Sequence, residues 1–357
     1  MAWKKLKPNK NTRVCLQTAL VFLLITIIVA GFSCAEKIDG FTIIESDYSE
    51  TPNNLSIGLA NLHASVPDIE ANKEKILQVI DIFKKYEVNM IIFPEFCISG
   101  YFWDDEKACW AYQESGVIEN QQDWLQKVES KLDDNLQYII FNSLRKGPNR
   151  KFLNSTFVVN ADFDCLNPEY IYDKVMLPGI EKQYTQSGKA DKLVIETQWG
   201  RFGFATCYDM CFSQLFQEYS MLNQVDAMIE IASWRGTASR DYPDMNVEAG
   251  HYYGFLWDSM ISTRAATNQI WIIGCNAVGT HGISGAQFWG GSGLWAPSGL
   301  KLIQASHDHE QLLVINNINI TEAKQFEESD FYYYRDFVEI YSPIEGKRAY
   351  TRVIDKP

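Results

Sequence analysis

The apolar positions of this chain fall into two alternating patterns from Leu55 onward. The runs LSIGLANL (55–62) and VNMIIFPE (88–95) are short and continuous, which is typical of strands buried in a sheet. Between them, apolar residues recur at helical spacing behind Asp68, with charged residues in the intervening positions. This segment is therefore predicted to be an amphipathic helix.

The same two patterns predict the remaining elements. Strand-like runs occupy 136–144, 153–162, 170–178, 193–206, 225–233, 270–278, 288–306 and 312–319, and helical patterns occupy 120–132, 212–222 and 247–267. Strands alternate with helices early in this region, and hairpins follow late. This order indicates an α/β domain whose sheets are buried between helical layers.

The hydropathy pattern also predicts the domain boundaries. The folded domain is assigned to residues 55–321. Residues 36–54 are polar and mixed, so they are expected to form a linker. The segment 322–357 is rich in charge and tyrosine, and we expect it to lie as a tail over the surface or on a partner subunit.

Residues 1–35 have the pattern of an export signal or a membrane anchor. Five basic residues and no acid precede a nearly continuous apolar run from Val14 to Phe32. Three outcomes are open: a retained helix, cleavage after Ala35, or lipidation of Cys34, for which the preceding residues match poorly. Each outcome sends the domain out of the cytoplasm, so a membrane-attached, extracytoplasmic domain is expected.

Composition narrows the classes of function. The formal net charge of the 357-residue chain is -13, whereas a nucleic-acid groove carries a basic field, so nucleic-acid binding is disfavoured. The cysteines form no CxxC pair and no zinc spacing. His307 and His309 are assigned to a solvated loop rather than to a metal site, and no metal is predicted.

The run RFGFATCYDMCFSQL (201–215) places Cys207 between a buried strand and the start of a helix. A cysteine on such a tight turn has its sulfur pushed out of the sheet. The backbone N–H groups that follow, beginning with Tyr208, point at the atom that the sulfur attacks, so nucleophile and oxyanion site come together. The alternative is a small hydrophobic residue that fills the core.

A cysteine nucleophile needs a partner, because its free pKa is about 8.5. Glu95 closes the strand VNMIIFPE, and Lys174 is assigned to a strand end within YIYDKVMLPGIE. A carboxylate can take the thiol proton and return it to a leaving amine, and a lysine can balance charge beside an oxyanion. Glu181, across the turn LPGI, is placed to orient the lysine or a water. The alternative for each residue is a polar strand end that meets solvent.

In order and local context, these residues resemble the carbon–nitrogen hydrolases of the nitrilase superfamily over Leu55–Asn319. The motifs are FPEFCISGY with Glu95, YDKVMLPGIEKQY with Lys174 and Glu181, and GRFGFATCYD with Cys207. The resemblance implies a four-layer α-β-β-α sandwich, a Glu-Lys-Cys triad, no cofactor and a homodimer. Weaker support comes from Asn154, Trp234, Arg264, Asn268, Ser292 and Pro297.

The pair that follows the nucleophile, Tyr208-Asp209, resembles the amidase-type branches, whereas nitrilases proper tend to have Trp-Glu there. The resemblance therefore implies hydrolysis of a small amide or N-carbamoyl compound through a cysteine thioester. Trp234 and Tyr101 are candidates to line the substrate pocket beside Tyr208. The alternatives are a nitrile hydrolase, an acyltransferase on the same fold, and a catalytically inactive binding protein.

The other cysteines are assigned to structure. Cys97, Cys211 and Cys275 lie in segments predicted to be buried or helical, so we expect them to be dispensable for catalysis. An oxidising compartment permits disulfides, and a bridge between Cys109 and Cys165 is left open.

Overall fold

The structure is a computed structural model, and the predicted anchor lies almost wholly outside the residues that it describes. These residues are 34–51, 54–101, 106–189, 192–237, 240–243, 248–341 and 351–354. Within these ranges, no helix combines the length and the apolar character that crossing a membrane requires.

The strands and helices alternate in the predicted way. In chain order, the strands are β1 (Cys34–Ile38), β2 (Phe41–Asp47), β3 (Leu55–Asn61), β4 (Met90–Ile92), β5 (Tyr138–Lys146), β6 (Phe152–Val159), β7 (Ile171–Asp173), β8 (Lys192–Thr197), β9 (Gly200–Thr206), β10 (Ala227–Ala232), β11 (Arg240–Asp241), β12 (Glu248–Ala249), β13 (Trp271–Asn276), β14 (Val278–Thr280), β15 (Gln287–Trp289), β16 (Gly293–Trp295), β17 (Lys301–Gln304), β18 (Gln311–Ile318) and β19 (Thr351–Ile354). The helices are α1 (Ile69–Lys84), α2 (Glu106–Ser115), α3 (Gln122–Glu129), α4 (Ser213–Gln217), α5 (Tyr252–Asn268), α6 (Ile320–Asp330) and α7 (Tyr333–Tyr341).

Two large sheets carry the fold. The first sheet has the strand order β1-β2-β18-β3-β4-β5-β6-β7, and the second has β17-β16-β13-β10-β9-β8-β19. Strands β3, β4 and β5 run parallel in the first sheet, and β9, β10 and β13 run parallel in the second. The carboxyl ends of parallel strands lie at one edge of a sheet, so the residues that follow these strands are brought together.

Alternating side chains divide the core into three layers. On β4, Ile91 packs towards the helices that cover the first sheet, whereas Ile92 packs between the two sheets. On β10, Ile229 faces the other sheet and Met228 faces the helical layer that contains α4 and α5. The period of two along each strand thus gives four layers in the order helix, sheet, sheet, helix, as the resemblance implied.

The helix α1 shows how local sequence starts an element. The Asp68 carboxylate accepts a hydrogen bond from the backbone N–H of Ala71 at 3.0 Å, which caps the first turn. Apolar residues of this helix, including Val79 and Phe83, are fully buried against the first sheet. Capping and one apolar face therefore explain the predicted helix.

The segment 36–54, which its polar composition suggested to be a linker, contributes strands to the first sheet. Strand β1 pairs with β2 as a hairpin, and β2 pairs in parallel with β18 from the other end of the domain. Phe41 and Ile43 are buried on one face of β2. A single buried face with few apolar positions gives a weak sequence signal, and the pairing partner is more than 250 residues away in the chain.

Two other boundaries differ from the prediction. The helix predicted at 247–267 begins at Tyr252, because His251 takes a left-handed conformation (φ 54°) directly before it. The predicted tail 322–357 contains most of α6, the helix α7 and the strand β19, which pairs in parallel with β8. In α6, Lys324 donates to the carbonyl of Val225 at 2.8 Å, so this part of the tail packs on its own chain.

Candidate active site

A buried lysine joins the two acidic residues that the sequence singled out. Lys174 Nζ donates to Glu95 Oε1 at 2.8 Å and to Glu181 Oε1 at 2.6 Å, and all three side chains are fully buried. Glu95 follows β4, Lys174 follows β7, and Glu181 begins a 3-10 turn. The two carboxylates compensate the positive charge of Lys174, so the lysine is not buried as an unpaired cation.

Two asparagines and a backbone amide orient this cluster. Asn154 Nδ2 donates to Glu95 Oε1 at 2.7 Å and to Glu181 Oε2 at 3.2 Å. Asn142 in turn donates to Asn154 Oδ1 at 2.8 Å. The other oxygen of Glu95, Oε2, accepts from the backbone N–H of Ser233 at 2.8 Å. Because Lys174 and Asn154 share Oε1, Glu95 Oε2 has the greater free lone-pair capacity for a proton.

Cys207 lies at the turn between β9 and a 3-10 helix that spans Cys207–Cys211. Its φ is 52°, in the left-handed region that a non-glycine residue rarely adopts, and such conformations concentrate at functional sites. The first N–H groups of a helix have no partner within it, and the amide of Tyr208 is one of these groups. The side chain of Tyr208 is half-buried and meets Phe212 edge-on.

Asp209 fixes the turn that carries Cys207, the nucleophile turn, to the first sheet. Its Oδ2 accepts from the backbone N–H of Thr206 at 3.0 Å and from the hydroxyl of Tyr172 at 2.8 Å. Its Oδ1 accepts from the backbone N–H of Met176 at 2.8 Å. Tyr172 and Met176 lie on either side of Lys174, so Asp209 sets the position of the thiol relative to the lysine.

The electrostatics favour a neutral thiol beside a charged lysine. Burial and then Glu95 raise the pKa of the Cys207 thiol well above its usual value, although Lys174 acts in the opposite direction. Burial alone would lower the pKa of Lys174, but Glu181 and Glu95 raise it well above its usual range. The thiol therefore holds its proton until a base removes it, and the ammonium stays charged.

Two carboxyl groups of the site, those of Glu181 and Asp209, have raised pKa values. Burial raises the pKa of Glu181 to about 7, against the opposing effect of Lys174. Burial likewise raises the pKa of Asp209 to about 6, although Lys174 and the hydrogen bonds from Met176 and Thr206 act to lower it. Desolvation is thus the dominant influence on both carboxyl groups.

The predicted pocket residues are placed as follows. The hydroxyl of Tyr101 donates to Glu181 Oε1 at 3.0 Å, so this residue touches the acidic cluster. Trp234 is buried, and its indole N–H donates to the carbonyl of Tyr253 at 2.6 Å. That hydrogen bond commits the polar atom of Trp234 to the fold, which leaves the ring for packing.

Sequence reasoning missed the roles of several residues. Ser233 and Asn142 were not singled out, and Asp209 was used only to choose a branch of the family. One signal was present for Asp209: Thr206-Cys-Tyr-Asp209 matches the spacing of a capping box, and both of its hydrogen bonds form. For Ser233 no such signal exists, because its contact with the carboxylate of Glu95 is made by a backbone N–H.

Two of the other cysteines lie in the core with their thiols turned to backbone carbonyls. Cys97 Sγ lies 3.4 Å from the carbonyl oxygen of Asn142, and Cys275 Sγ lies 3.3 Å from that of Ile92. Cys165 is buried as a free thiol, and the side chain of Cys109 lies outside those described.

Replacing Asp209 with alanine should lower the free energy of unfolding by about 2–4 kcal/mol, because three donors lose their acceptor in a buried position. Turnover should fall as well, since the Cys207 turn loses its connection to Tyr172 and Met176. Urea unfolding and initial rates measure both effects. Tyr172→Phe, which removes one of the three donors, is the matched control and should cost about 1 kcal/mol. If Asp209→Ala unfolds at the same urea concentration as the wild type, the anchoring role is wrong.

Comparisons with known proteins find a family and relatives that resemble this chain. The family model described as Carbon-nitrogen hydrolase matches residues 56–327. A protein named as a probable nitrilase of Schizosaccharomyces pombe is 21% identical over 286 residues, which cover 79% of this chain and 94% of that protein. The chloroplastic omega-amidase of Arabidopsis thaliana is 30% identical over 133 residues, covering 37% of this chain and 31% of that protein.

The fold is shared with a solved structure. The crystal structure of a carbon-nitrogen hydrolase from Helicobacter pylori G27 matches with a TM-score of 0.65 and 18% identity, over 83% of this chain and 99% of that one. The range that the family model matches contains Glu95, Lys174, Glu181 and Cys207. The chain therefore belongs to the carbon-nitrogen hydrolase family and is an enzyme of the nitrilase superfamily.

Proposed function

We propose that this enzyme hydrolyses the C–N bond of a small amide or N-carbamoyl compound through a thioester on Cys207. The observation that carries the proposal is the buried cluster in which Lys174 lies between Glu95 and Glu181. These residues interact electrostatically with the thiol of Cys207. A base, a cation and a nucleophile in one buried site are the requirements of acyl transfer.

In the first half of the reaction, Cys207 Sγ attacks the carbonyl carbon of the substrate. Glu95 takes the thiol proton, and Oε2 is the oxygen with room to do so because Oε1 already has two donors. The carbonyl oxygen becomes an oxyanion, which the ammonium of Lys174 and the backbone N–H of Tyr208 stabilise. Glu95 then gives its proton to the leaving nitrogen, and ammonia or an amine departs as the C–N bond breaks.

In the second half, water attacks the thioester carbon. Glu95 again acts as the base, taking a proton from the water and returning it to the sulfur as the acid product leaves. Glu181 holds Lys174 by a 2.6 Å hydrogen bond and is itself held by Asn154 and Tyr101. Its role is thus to keep the lysine ammonium in place through both halves.

A small substrate is supported by the space next to the site. A pocket of about 250 Å³ lies beside the segment that follows Trp234, with Gly236 and Phe288 among its lining residues. The ring of Phe288 meets that of Tyr101 edge-on at 6.2 Å, and Tyr101 contacts Glu181. The side chain of Tyr101 thus lies between the pocket and the acidic cluster. The similarity to an omega-amidase supports an amide, and the similarity to a probable nitrilase keeps a nitrile as the alternative.

The experiment that tests the proposal is a substrate panel on the purified full chain. Monoamides of small dicarboxylic acids, N-carbamoyl amino acids, simple aliphatic amides and aliphatic nitriles are assayed for release of ammonia, with Cys207→Ala as the matched control. Hydrolysis of an amide or N-carbamoyl compound by the wild type alone is the expected result. Activity confined to nitriles would overturn the substrate class. Acyl transfer to an added amine without hydrolysis would favour the acyltransferase. Tight binding without turnover would favour the binding protein.

We also propose that the basic segment and the apolar run of residues 1–32 attach this enzyme to a membrane with its active site outside the cytoplasm. The motivating pattern is five basic residues followed by Val14–Phe32. Protease added to cells with an opened outer envelope should digest the hydrolase domain, and the intact protein should sediment with membranes. Protection of the domain until the cytoplasm is lysed would reverse the topology. Deleting residues 1–35 is the control and should release an active domain.

A further inference from the structure

Glu230 occupies a position on β10 that the strand pattern gives to apolar side chains. Its neighbours Ile229 and Ile231 face the space between the sheets, so Glu230 points to the opposite face, with Met228 and Ala232. That face meets the layer that contains Cys207, Met210 and the helix α5. Glu230 is thus a fully buried carboxyl group beneath the nucleophile turn.

The surroundings of Glu230 offer little to an ionised carboxylate. Its partners in register are Ala205 on β9 and Gly274 on β13, which have small or no side chains. Neither carboxyl oxygen has a hydrogen-bond partner of normal geometry among the residues described. A buried anion without well-formed hydrogen bonds is strongly disfavoured, whereas the neutral acid avoids most of that cost.

The titratable groups around Glu230 reinforce its neutral form. Burial, then Asp209 and Glu95, raise its pKa well above the usual value, while Lys174 and the backbone N–H of Cys207 act to lower it. Arg264 of α5 donates to the carbonyl oxygen of Met210 at 3.1 Å and holds the turn from its other side. The groups that interact with Glu230 or share its layer are Cys207, Asp209, Cys211, Tyr172, Tyr219, Arg264, Glu95 and Lys174.

We propose that Glu230 is a positioning residue for the nucleophile turn that supports catalysis only while it carries its proton. In that state it adds no negative charge beneath Cys207. The thiolate that forms during attack is then repelled only by carboxylates whose charge Lys174 balances. At alkaline pH, hydroxide takes the proton of Glu230 and forms water. The carboxylate then places a negative charge below the sulfur, in addition to the charge of the Cys207 thiolate. Thiolate formation and the oxyanion are then disfavoured, so activity falls on the alkaline side.

The inference rests on the proposed chemistry of Cys207, but its first test needs no substrate. Iodoacetamide alkylation of the full chain is followed across about pH 6–10, with the Cys207 peptide quantified by mass spectrometry. In Glu230→Gln, which keeps size but cannot ionise, Cys207 should react about tenfold faster near pH 9, equivalent to one pKa unit. Glu196→Gln, which removes an exposed carboxyl from β8 in the same sheet, is the matched control and should react like the wild type.

Stability against pH is the second readout, and its sign is fixed by the direction of the pKa shift. The pKa of a glutamate side chain in the unfolded chain is about 4.3. The stabilisation that a raised pKa gives to the folded state is therefore fully present below that pH. The contribution is lost as pH rises towards the folded pKa, because the unfolded state releases its proton first. Glutamine has no proton to release. The Tm of Glu230→Gln minus that of the wild type should therefore grow, by at least about 2 °C between about pH 5 and 9.

Two further outcomes separate this inference from the proposed function. Glu230→Met also removes the charge and should shift alkylation and stability in the same direction, which covers a failure of the glutamine variant to fold. If neither variant changes the pH dependence of alkylation or of Tm, the inference is overturned. If both change it while no compound of the panel is hydrolysed, the inference stands and the proposed function fails.

Discussion

Turnover should disappear when Cys207 is replaced with alanine, with a loss of about 10⁴–10⁶-fold, because a triad acts as one unit and its nucleophile cannot be substituted. Cys207→Ser should be nearly as inactive, since Glu95 deprotonates a hydroxyl far less readily than a thiol. Both variants should keep the fold, because the side chain is small and its turn is held by Asp209 and Thr206. Initial rates on the substrate identified by the panel, with circular dichroism as a check of folding, measure these effects.

The nearby Cys211 supplies the matched control for this prediction. It lies at the end of the same 3-10 turn and is half-buried, so Cys211→Ala should retain most of the activity. In Glu95→Gln, which slows both halves of the reaction by about 10²–10⁴-fold, mass spectrometry should find an acyl adduct on the Cys207 peptide. Hydrolysis by Cys207→Ala at the wild-type rate would show that the chemistry lies elsewhere.

Lys174→Ala should damage both catalysis and stability. The loss of an oxyanion donor costs about 10²–10³-fold in turnover. Glu95 and Glu181 would also be left buried without their cation, and breaking such a pair costs about 3–5 kcal/mol. Urea unfolding should show a smaller loss at about pH 4 than at pH 8, because protonated carboxyls need no counter-charge.

A second substitution tests the cause of that instability. In the Lys174→Ala background, Glu181→Gln removes one of the two uncompensated carboxylates and should recover part of the lost stability without recovering turnover. The two substitutions are then non-additive, as expected for side chains 2.6 Å apart. Equal stability of Lys174→Ala and the wild type at neutral pH would show that the ion cluster does not support the fold.

Glu95, Lys174 and Cys207 could be predicted as a group because each lies at the end of a strand. Each follows a short apolar run, and buried strands of this kind place the residues behind them at the edge of a sheet. The order of the motifs and their local context then predicted the family, which the match over residues 56–327 confirms. The charged cluster on Lys174 follows the same logic, because its members bring opposite charges to one edge.

The rest depends on pairing between distant segments, which local patterns do not encode. Strand β2 pairs with β18, and β19 pairs with β8, across separations that no sequence window spans. The contact of Ser233 with Glu95 joins residues 138 positions apart through a backbone N–H. Glu230 lies in an apolar run and was assigned only to the predicted strand. A single acidic residue in such a run does not indicate on which face of the strand it lies.

The two halves of the active site come from different sheets, Glu95 and Lys174 from the first and Cys207 from the second. Asp209 bridges them through Tyr172 and Met176. A newly made or partly unfolded chain therefore contains a cysteine with no base beside it. In the proposed mechanism, the sulfur can therefore be activated only when the two sheets have packed together.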